Sequence, residues 1–204
     1  MTTPLWLDDQ PLVLASSSAV RRMLLQAASI PVEVCPTSID ERAIEARANL
    51  SAATDVAALL AREKALAGSA GRAGRLVLGA DQTLALGAQR FSKPTDRDTA
   101  REQLSALRGR THELHSAIAV VRGEEILFEY VASARLTMRA FSDKFLDDYL
   151  NEIGPAATAS VGGYQLEGAG VQLFERIEGD NSTILGLPLL PLLAWLRRQG
   201  VLRT

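Results

Sequence analysis

An aspartate and a lysine stand on either side of a predicted tight turn near the middle of the chain. Asp81 follows the apolar run Leu76–Ala80, which predicts a buried strand, and Gly87-Ala88 predicts the turn of a hairpin. The returning strand should bring Lys93 close to Asp81, because cross-strand neighbours lie about 5 Å apart. A carboxylate there can bind a metal ion or activate water, beside a cation that holds phosphate. The alternative is a surface ion pair, worth about 0–1 kcal/mol.

A second pattern joins a buried strand to the start of a helix. The apolar run Leu12–Ala15 predicts the strand, and Ser16 and Ser18 can cap the helix that follows. Free N–H groups at a helix start, serine hydroxyls and the guanidinium of Arg21 are donors suited to a triphosphate. A capped helix with a solvated arginine is the alternative.

A third pattern is the glycine-rich segment 162–170, in which four of nine residues are glycine. Such a segment permits a close approach of the backbone to a ligand, and Glu167 could serve there as a polar recognition group. An ordinary flexible loop is the alternative. Glu41 and Lys64, taken alone, are better explained as a solvated carboxylate and a solvated helix lysine.

Composition and charge exclude several classes of protein. The chain has 204 residues, 22 of them basic and 24 acidic, and the formal net charge of −2 provides no general attraction to nucleic acid or anionic lipid. The lone Cys35 favours a reducing compartment, and no segment has the character of a signal peptide or a membrane span. We therefore expect a cytoplasmic protein whose partner is a small molecule. A homodimer remains open.

Standard motifs for phosphate binding and ester hydrolysis are absent. The sequence has no Walker A loop, no GxGxxG fingerprint and no GxSxG elbow. His112 and His115 are the only histidines. Because they lie three positions apart on a predicted strand, they should point to opposite faces, one inward and one outward. A joint metal site is not expected.

The order of the predicted elements indicates the fold class. Strands alternate with helices at the start of the chain, and two long strands pair in the middle, which is typical of an α/β protein with a mixed sheet. The length suits a single domain over residues 1–204. The predicted strands are 12–15, 31–35, 76–80, 112–121, 126–138 and 171–177, and the main predicted helices are 55–68, 96–107, 142–150 and 188–198, with another after Ser18.

Taken in order, these segments resemble the Maf family of nucleotide pyrophosphatases over nearly the whole chain. Each match is weak alone, but their order and spacing make the joint resemblance strong. One departure is Ala19, where the family usually has a proline at the helix start. The matching segments are Leu14–Arg21, Ile39–Glu41, Glu63–Ala65, Gly79–Asp81, Lys93-Pro94, Gly109–His112, Gly162–Tyr164, Glu178-Gly179 and Gly186–Leu189.

The resemblance implies hydrolysis of a nucleoside triphosphate between the α- and β-phosphates, with Mg²⁺ or Mn²⁺. It implies an elongated mixed sheet flanked by helices, with two lobes around a deep cleft, as in ITPase-like folds. By the same resemblance Asp81 is the general base, and Asp81 and Glu41 are the metal ligands. The residues expected to bind the phosphates are Ser16, Ser18, Arg21, Lys64 and Lys93.

Three positions bear on the choice of base. The chain has Gln82 after Asp81 and Glu167 in the glycine-rich segment, which resembles the subfamily acting on 7-methyl-GTP rather than that acting on dTTP and UTP. A carboxylate can accept from both N1–H and N2–H₂ of guanine. Against this, Val20 stands where that subfamily commonly has a tryptophan, so a stacking surface is lost.

Two readings from other classes compete with the enzyme. One is a nucleotide-binding regulator of septum formation without essential catalysis, from which the family takes its name. The intact set of Asp81, Lys93 and Glu41 favours the enzyme, because a pure binder needs no carboxylate to activate water. The other is a nucleic-acid-binding protein, which the net charge and the lack of a basic stripe disfavour.

Overall fold

The computed structural model of the protein describes residues 4–204. Strands and helices alternate through the first half of the chain, and long strands follow. The strands are β1 (Leu12–Leu14), β2 (Val32–Val34), β3 (Val77–Leu86), β4 (Gln89–Phe91), β5 (Thr111–Arg122), β6 (Glu125–Met138) and β7 (Phe174–Glu178). The helices are α1 (Ala19–Ala27), α2 (Glu41–Ala48), α3 (Ala53–Ser69), α4 (Arg97–Leu107), α5 (Asp143–Ile153), α6 (Asn181–Ile184) and α7 (Leu189–Arg198).

The strands form one mixed sheet, as the sequence predicted. The order is β2-β1-β3-β5-β6-β7, and β4 pairs with β3 outside this path. β1 is parallel to both β2 and β3, whereas the β3–β4 and β6–β7 pairs are antiparallel. A mixed sheet flanked by helices confirms the predicted α/β class.

The chain divides into two compact units. The first comprises the chain up to Gln82, His115–Ala132 and Asp180–Thr204, and the second comprises Thr83–Leu114 and Ser133–Gly179. Each unit is built from segments distant in sequence, because strands β3, β5 and β6 each contribute to both. The expectation of a single domain over residues 1–204 stays a prediction.

Each face of the sheet in the first unit carries its own apolar cluster. Alternate residues of β1 and β3 explain this, because successive side chains of a strand point to opposite faces. Leu14 and Leu78 pack in the cluster that contains Trp195 of α7, while Val13 and Val77 pack in the cluster that contains the alanines of α3. The α3 cluster consists of small residues, so helix and sheet approach closely.

Gly79 shows how close this approach is. A Cβ at this position would lie 2.1 Å from the carbonyl oxygen of Ala61 and 2.5 Å from the amide nitrogen of Ala65, both on α3. No side chain fits there without a backbone shift. The absence of a Cβ at Gly79 therefore lets α3 pack directly against β3. Asp81 is the next residue on the same face of β3.

The second unit contains a cluster of ring contacts that joins β5 to the segment beyond α5. The ring of His112 on β5 packs against Tyr164 and Phe174, and Nε2 of His112 lies 2.7 Å from the hydroxyl of Tyr164. Arg139 lies over the ring of Phe145, with its guanidinium carbon 4.2 Å from the ring centre. These contacts fix the segment that follows α5.

Several sequence predictions need correction. β3 does not end at Ala80 but continues through Asp81 to Leu86. Helices α2 and α6 were not predicted, because both are short and lack a strong apolar face. The last predicted strand, 171–177, begins only at Phe174, because a 3-10 turn occupies Ala169–Leu173. His112 and His115 are both buried, at 1% and 7% exposure, so neither points outward.

Among residues 4–204, no helix combines the length and the apolar character needed to cross a bilayer.

Candidate active site

The strand–helix junction at Ser16–Ser18 is a helix cap. Ser18 is the N-cap residue of α1, and its hydroxyl accepts a hydrogen bond from the backbone N–H of Arg21. The hydroxyl of Ser16 accepts from the N–H of Ser18 at 3.2 Å and from Nη1 of Arg21 at 3.3 Å. Ala19 begins the helix without disturbing this cap. The predicted capped helix is confirmed.

Arg21 is more than a solvated arginine. Its Nε donates to the carbonyl of Gly186 and its Nη1 to the carbonyl of Ala80, both at 2.8 Å. The guanidinium thus joins α1 to β3 and to the segment before α7. Burial lowers the pKa of Arg21, while the negative charges of Asp81 and Glu41 counteract part of that shift. The group stays charged at neutral pH, because its ordinary pKa is far above 7.

A lysine between two carboxylates lies beside this junction. Nζ of Lys64 on α3 is 2.5 Å from Oδ1 of Asp81 and 2.8 Å from Oε1 of Glu41. The side chains of Lys64 and Asp81 are only 13% and 11% exposed, whereas that of Glu41 is 47% exposed. Glu41 is the first residue of α2, which Asp40 caps. Glu41 and Lys64, which look ordinary in the sequence, therefore form one cluster with Asp81.

Burial dominates the electrostatics of Asp81. It raises the pKa of this carboxyl above its ordinary range, and the negative charge of Glu41 adds to the shift, while Lys64 and Arg21 oppose it. A carboxylate with a raised pKa accepts a proton more readily than a solvated one. This is the property that a general base needs.

The donor set for a metal ion is small. Among the described residues, no group of three or more histidine, cysteine, aspartate or glutamate side chains is placed to hold an ion. Asp81 and Glu41 converge on Lys64 and could offer two carboxylates. This fits Mg²⁺, which protein sites usually hold with one or two carboxylates, water and substrate phosphates.

Gln82 points to the face of β3 opposite Asp81. Its Nε2 donates to the hydroxyl of Ser116 at 2.9 Å and to the carbonyls of Thr183 and Ile184 at 3.2 and 2.9 Å. Sequence reasoning missed these partners. The signal that could have located α6 is Asp180, whose carboxylate accepts from the N–H of Thr183 as an N-cap.

The remaining predicted site residues lie on α1 and in the second unit. Val20 lies half-buried in the first turn of α1. In the second unit, the predicted hairpin turn is confirmed, because Leu86 pairs with Gln89, but the β3–β4 ladder ends at Phe91 and leaves Lys93 exposed beyond it. Glu167 is exposed between two 3-10 turns. The closeness of Lys93 to Asp81 stays a prediction.

The fold and the cluster define an α/β protein with a buried carboxylate–lysine group beside an arginine-anchored helix start. The family model described as "Maf-like protein" matches residues 11–199, so the chain belongs to the Maf family.

Several curated relatives are similar over almost their whole length. The chain is 61% identical to a nucleoside triphosphate pyrophosphatase of Rhodopseudomonas palustris (strain BisB5), with 97% of the chain and 98% of the relative aligned. It is 54% identical, with the same coverage, to a protein of that name from Bradyrhizobium diazoefficiens. A 7-methyl-GTP pyrophosphatase of Mesorhizobium japonicum is 49% identical over 95% of the chain and 98% of the relative.

Proposed function

We propose that this protein hydrolyses a nucleoside triphosphate with a guanine-type base, such as 7-methyl-GTP, between the α- and β-phosphates. The products are the nucleoside monophosphate and pyrophosphate. Its family membership and the relatives named nucleoside triphosphate pyrophosphatase place it among hydrolases acting on acid anhydrides.

The observation that carries the proposal is the contact of Lys64 with both Asp81 and Glu41. Since Lys64 donates to Oδ1 of Asp81, we assign Oδ2 as the atom that accepts the proton. Asp81 would take a proton from a water molecule while the oxygen of that water attacks the α-phosphorus. The bond from the α-phosphorus to the pyrophosphate leaving group would then break. The lysine fixes the carboxylate in one orientation, which lowers the entropic cost of that step.

The substrate's charge must be offset by the protein. A triphosphate carries about four negative charges at neutral pH, so we assign Arg21, Lys64 and Lys93 to its phosphates, with the hydroxyls of Ser16 and Ser18 as neutral donors. Arg21 can donate to a phosphate through Nη2, because its Nε and Nη1 already donate to backbone carbonyls.

We assign Asp81 and Glu41 as the carboxylates that would hold Mg²⁺ or Mn²⁺ together with the phosphates. When bound, such a cation would neutralise phosphate charge and favour departure of pyrophosphate. The contacts of Lys64 support this assignment, because both carboxylates already approach one positive charge, the ammonium group of Lys64.

Glu167 is the residue we assign to the base. Its carboxylate can accept from N1–H and N2–H₂ of guanine, and its negative charge favours the positive ring of 7-methylguanine. The relative from Mesorhizobium japonicum named 7-methyl-GTP pyrophosphatase supports this choice. Val20 provides less stacking surface than a tryptophan would, so we expect the preference for the methyl group to be weaker than the preference for guanine.

We also propose a cytoplasmic location, which the lone, half-buried and free Cys35 supports, because a reducing compartment keeps a thiol reduced. A homodimer stays an untested prediction.

The test is release of pyrophosphate from 7-methyl-GTP, GTP, UTP and dTTP after treatment with EDTA, with and without added Mg²⁺ or Mn²⁺. We expect metal-dependent release, fastest with 7-methyl-GTP. Pyrophosphate release that is equal for UTP and 7-methyl-GTP would contradict the base assignment. Tight nucleotide binding without hydrolysis would instead favour the regulator of septum formation.

A further inference from the structure

We infer that Gln82 is a positioning residue that holds Asp81 in place, rather than a residue that contacts the base. The inference rests on the proposed function, because it assigns Asp81 the role of general base. It concerns the segment 183–186, which comprises the last two residues of α6 and the two residues that follow them, and which the proposed function leaves without a role.

The first observation is that the amide nitrogen of Gln82 is saturated by the protein. An amide nitrogen has two hydrogens, and Nε2 lies within 3.2 Å of three acceptors, on Ser116, Thr183 and Ile184. Two of these acceptors are carbonyl oxygens, which cannot donate, so the nitrogen and not the oxygen of the amide must face them. A base that bound to this nitrogen would have to displace a protein acceptor.

The second observation is that the same segment also binds the residue on the other side of Asp81. Arg21 donates to the carbonyl of Ala80 and to the carbonyl of Gly186, both at 2.8 Å. Ala80 and Gln82 are the two chain neighbours of Asp81. The backbone of the aspartate is therefore tied on both sides to residues 183–186, once through Arg21 and once through Gln82.

The segment 183–186 is itself held firmly. The hydroxyl of Ser116 donates to the carbonyl of Thr183 at 2.7 Å, and Ser116 is fully buried. Asp180 caps α6 through the N–H of Thr183 and accepts a hydrogen bond from the hydroxyl of Ser182. The hydroxyl of Ser182 in turn accepts from the N–H of Leu189 at the start of α7.

These contacts lie on the face of β3 opposite the lysine. On one face, Lys64 fixes the Asp81 side chain, and on the other, Gln82 fixes its backbone. A shift of about 1 Å in a reacting group can cost about 100-fold in rate. Loss of the Gln82 contacts should therefore lower turnover without changing which base is preferred.

The test compares Gln82→Met, which is similar in length but has no donor, with Ser116→Ala. Ser116→Thr is the conservative variant, because it keeps the hydroxyl. Gln103→Met is the matched control, since Gln103 is also half-buried and also donates to a carbonyl, that of Ser92.

We expect kcat to fall by about 10- to 100-fold in Gln82→Met and to fall in Ser116→Ala. The ratio of kcat/KM for 7-methyl-GTP to that for UTP should stay as in the wild type. Ser116→Thr should recover most of the rate, and Gln103→Met should keep it. A changed ratio with an unchanged kcat would overturn the inference and indicate that Gln82 contacts the base.

Amide hydrogen exchange tests the inference independently of activity. In Gln82→Met, exchange should become about tenfold faster both at residues 80–82 and at residues 183–186, because each segment holds the other. Unchanged exchange in either segment would overturn the inference. A wild-type protein that released pyrophosphate from no nucleotide would refute the proposed function, while this exchange measurement would still decide whether Gln82 holds Asp81.

Discussion

Lys64 lies with its Nζ 2.5 Å from Oδ1 of Asp81, although the two residues are 17 positions apart in the sequence. The contact exists because Gly79, with no side chain, lets α3 pack against β3. It joins a cation to a carboxylate whose pKa burial has raised. The same lysine reaches Glu41, so one ammonium group organises both carboxylates of the candidate site.

Replacement of Asp81 by asparagine should abolish most of the turnover. The amide is nearly the same size as the carboxylate but cannot take up a proton at neutral pH. We expect kcat to fall by about 10²- to 10⁴-fold with the fold intact, measured as pyrophosphate release and by circular dichroism. Asp98→Asn, at an exposed aspartate on α4, is the control. Wild-type turnover in Asp81→Asn would exclude the role of general base.

Lys93→Ala and Arg21→Ala should differ in their effect on stability. Either change should reduce the stabilisation of the transition state by about 1.5–3 kcal/mol, the scale of a charge-assisted hydrogen bond, and so lower kcat/KM. Lys93 is exposed, so its loss should leave the melting temperature unchanged. Arg21 also holds the carbonyls of Ala80 and Gly186, so its loss should lower that temperature. An unchanged kcat/KM in Lys93→Ala would remove Lys93 from the phosphate site.

Glu167→Gln should shift the choice of nucleotide toward uracil. The amide can both accept from N3–H and donate to a carbonyl, whereas the carboxylate only accepts. We expect the ratio of kcat/KM for 7-methyl-GTP to that for UTP to fall at least about tenfold. Glu175→Gln, at another exposed glutamate, should keep the wild-type ratio. An unchanged ratio in Glu167→Gln would place the base elsewhere.

The buried His112 should make stability depend on pH. Burial lowers the pKa of its imidazole to about 4, against an ordinary value of 6.5, and Nδ1 has no hydrogen-bond partner in the protein. Between these values the unfolded chain binds a proton that the folded protein does not. The free energy of unfolding should therefore fall as the pH drops from about 6.5 to about 4, by up to about 3 kcal/mol.

Denaturant unfolding at several pH values would measure this dependence. His112→Gln removes the titrating group and should flatten the curve in that range, whatever it does to stability at pH 7. His115→Gln, at the other buried histidine, is the matched control variant. A curve of the same slope in His112→Gln and in the wild type would contradict the prediction.

Gly79→Ala should destabilise the protein strongly. The new methyl group would lie 2.1 Å from the carbonyl oxygen of Ala61, which requires α3 to move away from β3. We expect a loss of about 3 kcal/mol or more in the free energy of unfolding. In Gly168→Ala the nearest atom is 3.9 Å away, so that variant should unfold like the wild type. Equal stability of the two variants would mean that helix and strand are not in tight contact.

The sequence by itself determined the local elements with clear chemical signals. The predicted cap at Ser18 is present, and the helices predicted from Asp96 and from Ser142 exist, with these two residues as their N-caps. The individual strands could be predicted because the apolar pattern of a strand is local to the chain. The mixed sheet followed from the order of the elements, in which strands alternate with helices first and two long strands pair later. The order of weak motifs was enough for the family.

Only the tertiary structure decided which polar residues meet. Glu41 and Lys64 look like solvated charges in the sequence, because nothing in their neighbours reports that a distant glycine, Gly79, allows α3 to reach the strand. The contacts of Gln82 with residues 183 and 184 are equally invisible, since they join positions about 100 apart. Periodicity reports the face on which a residue lies, but the partner it meets there depends on how whole elements pack.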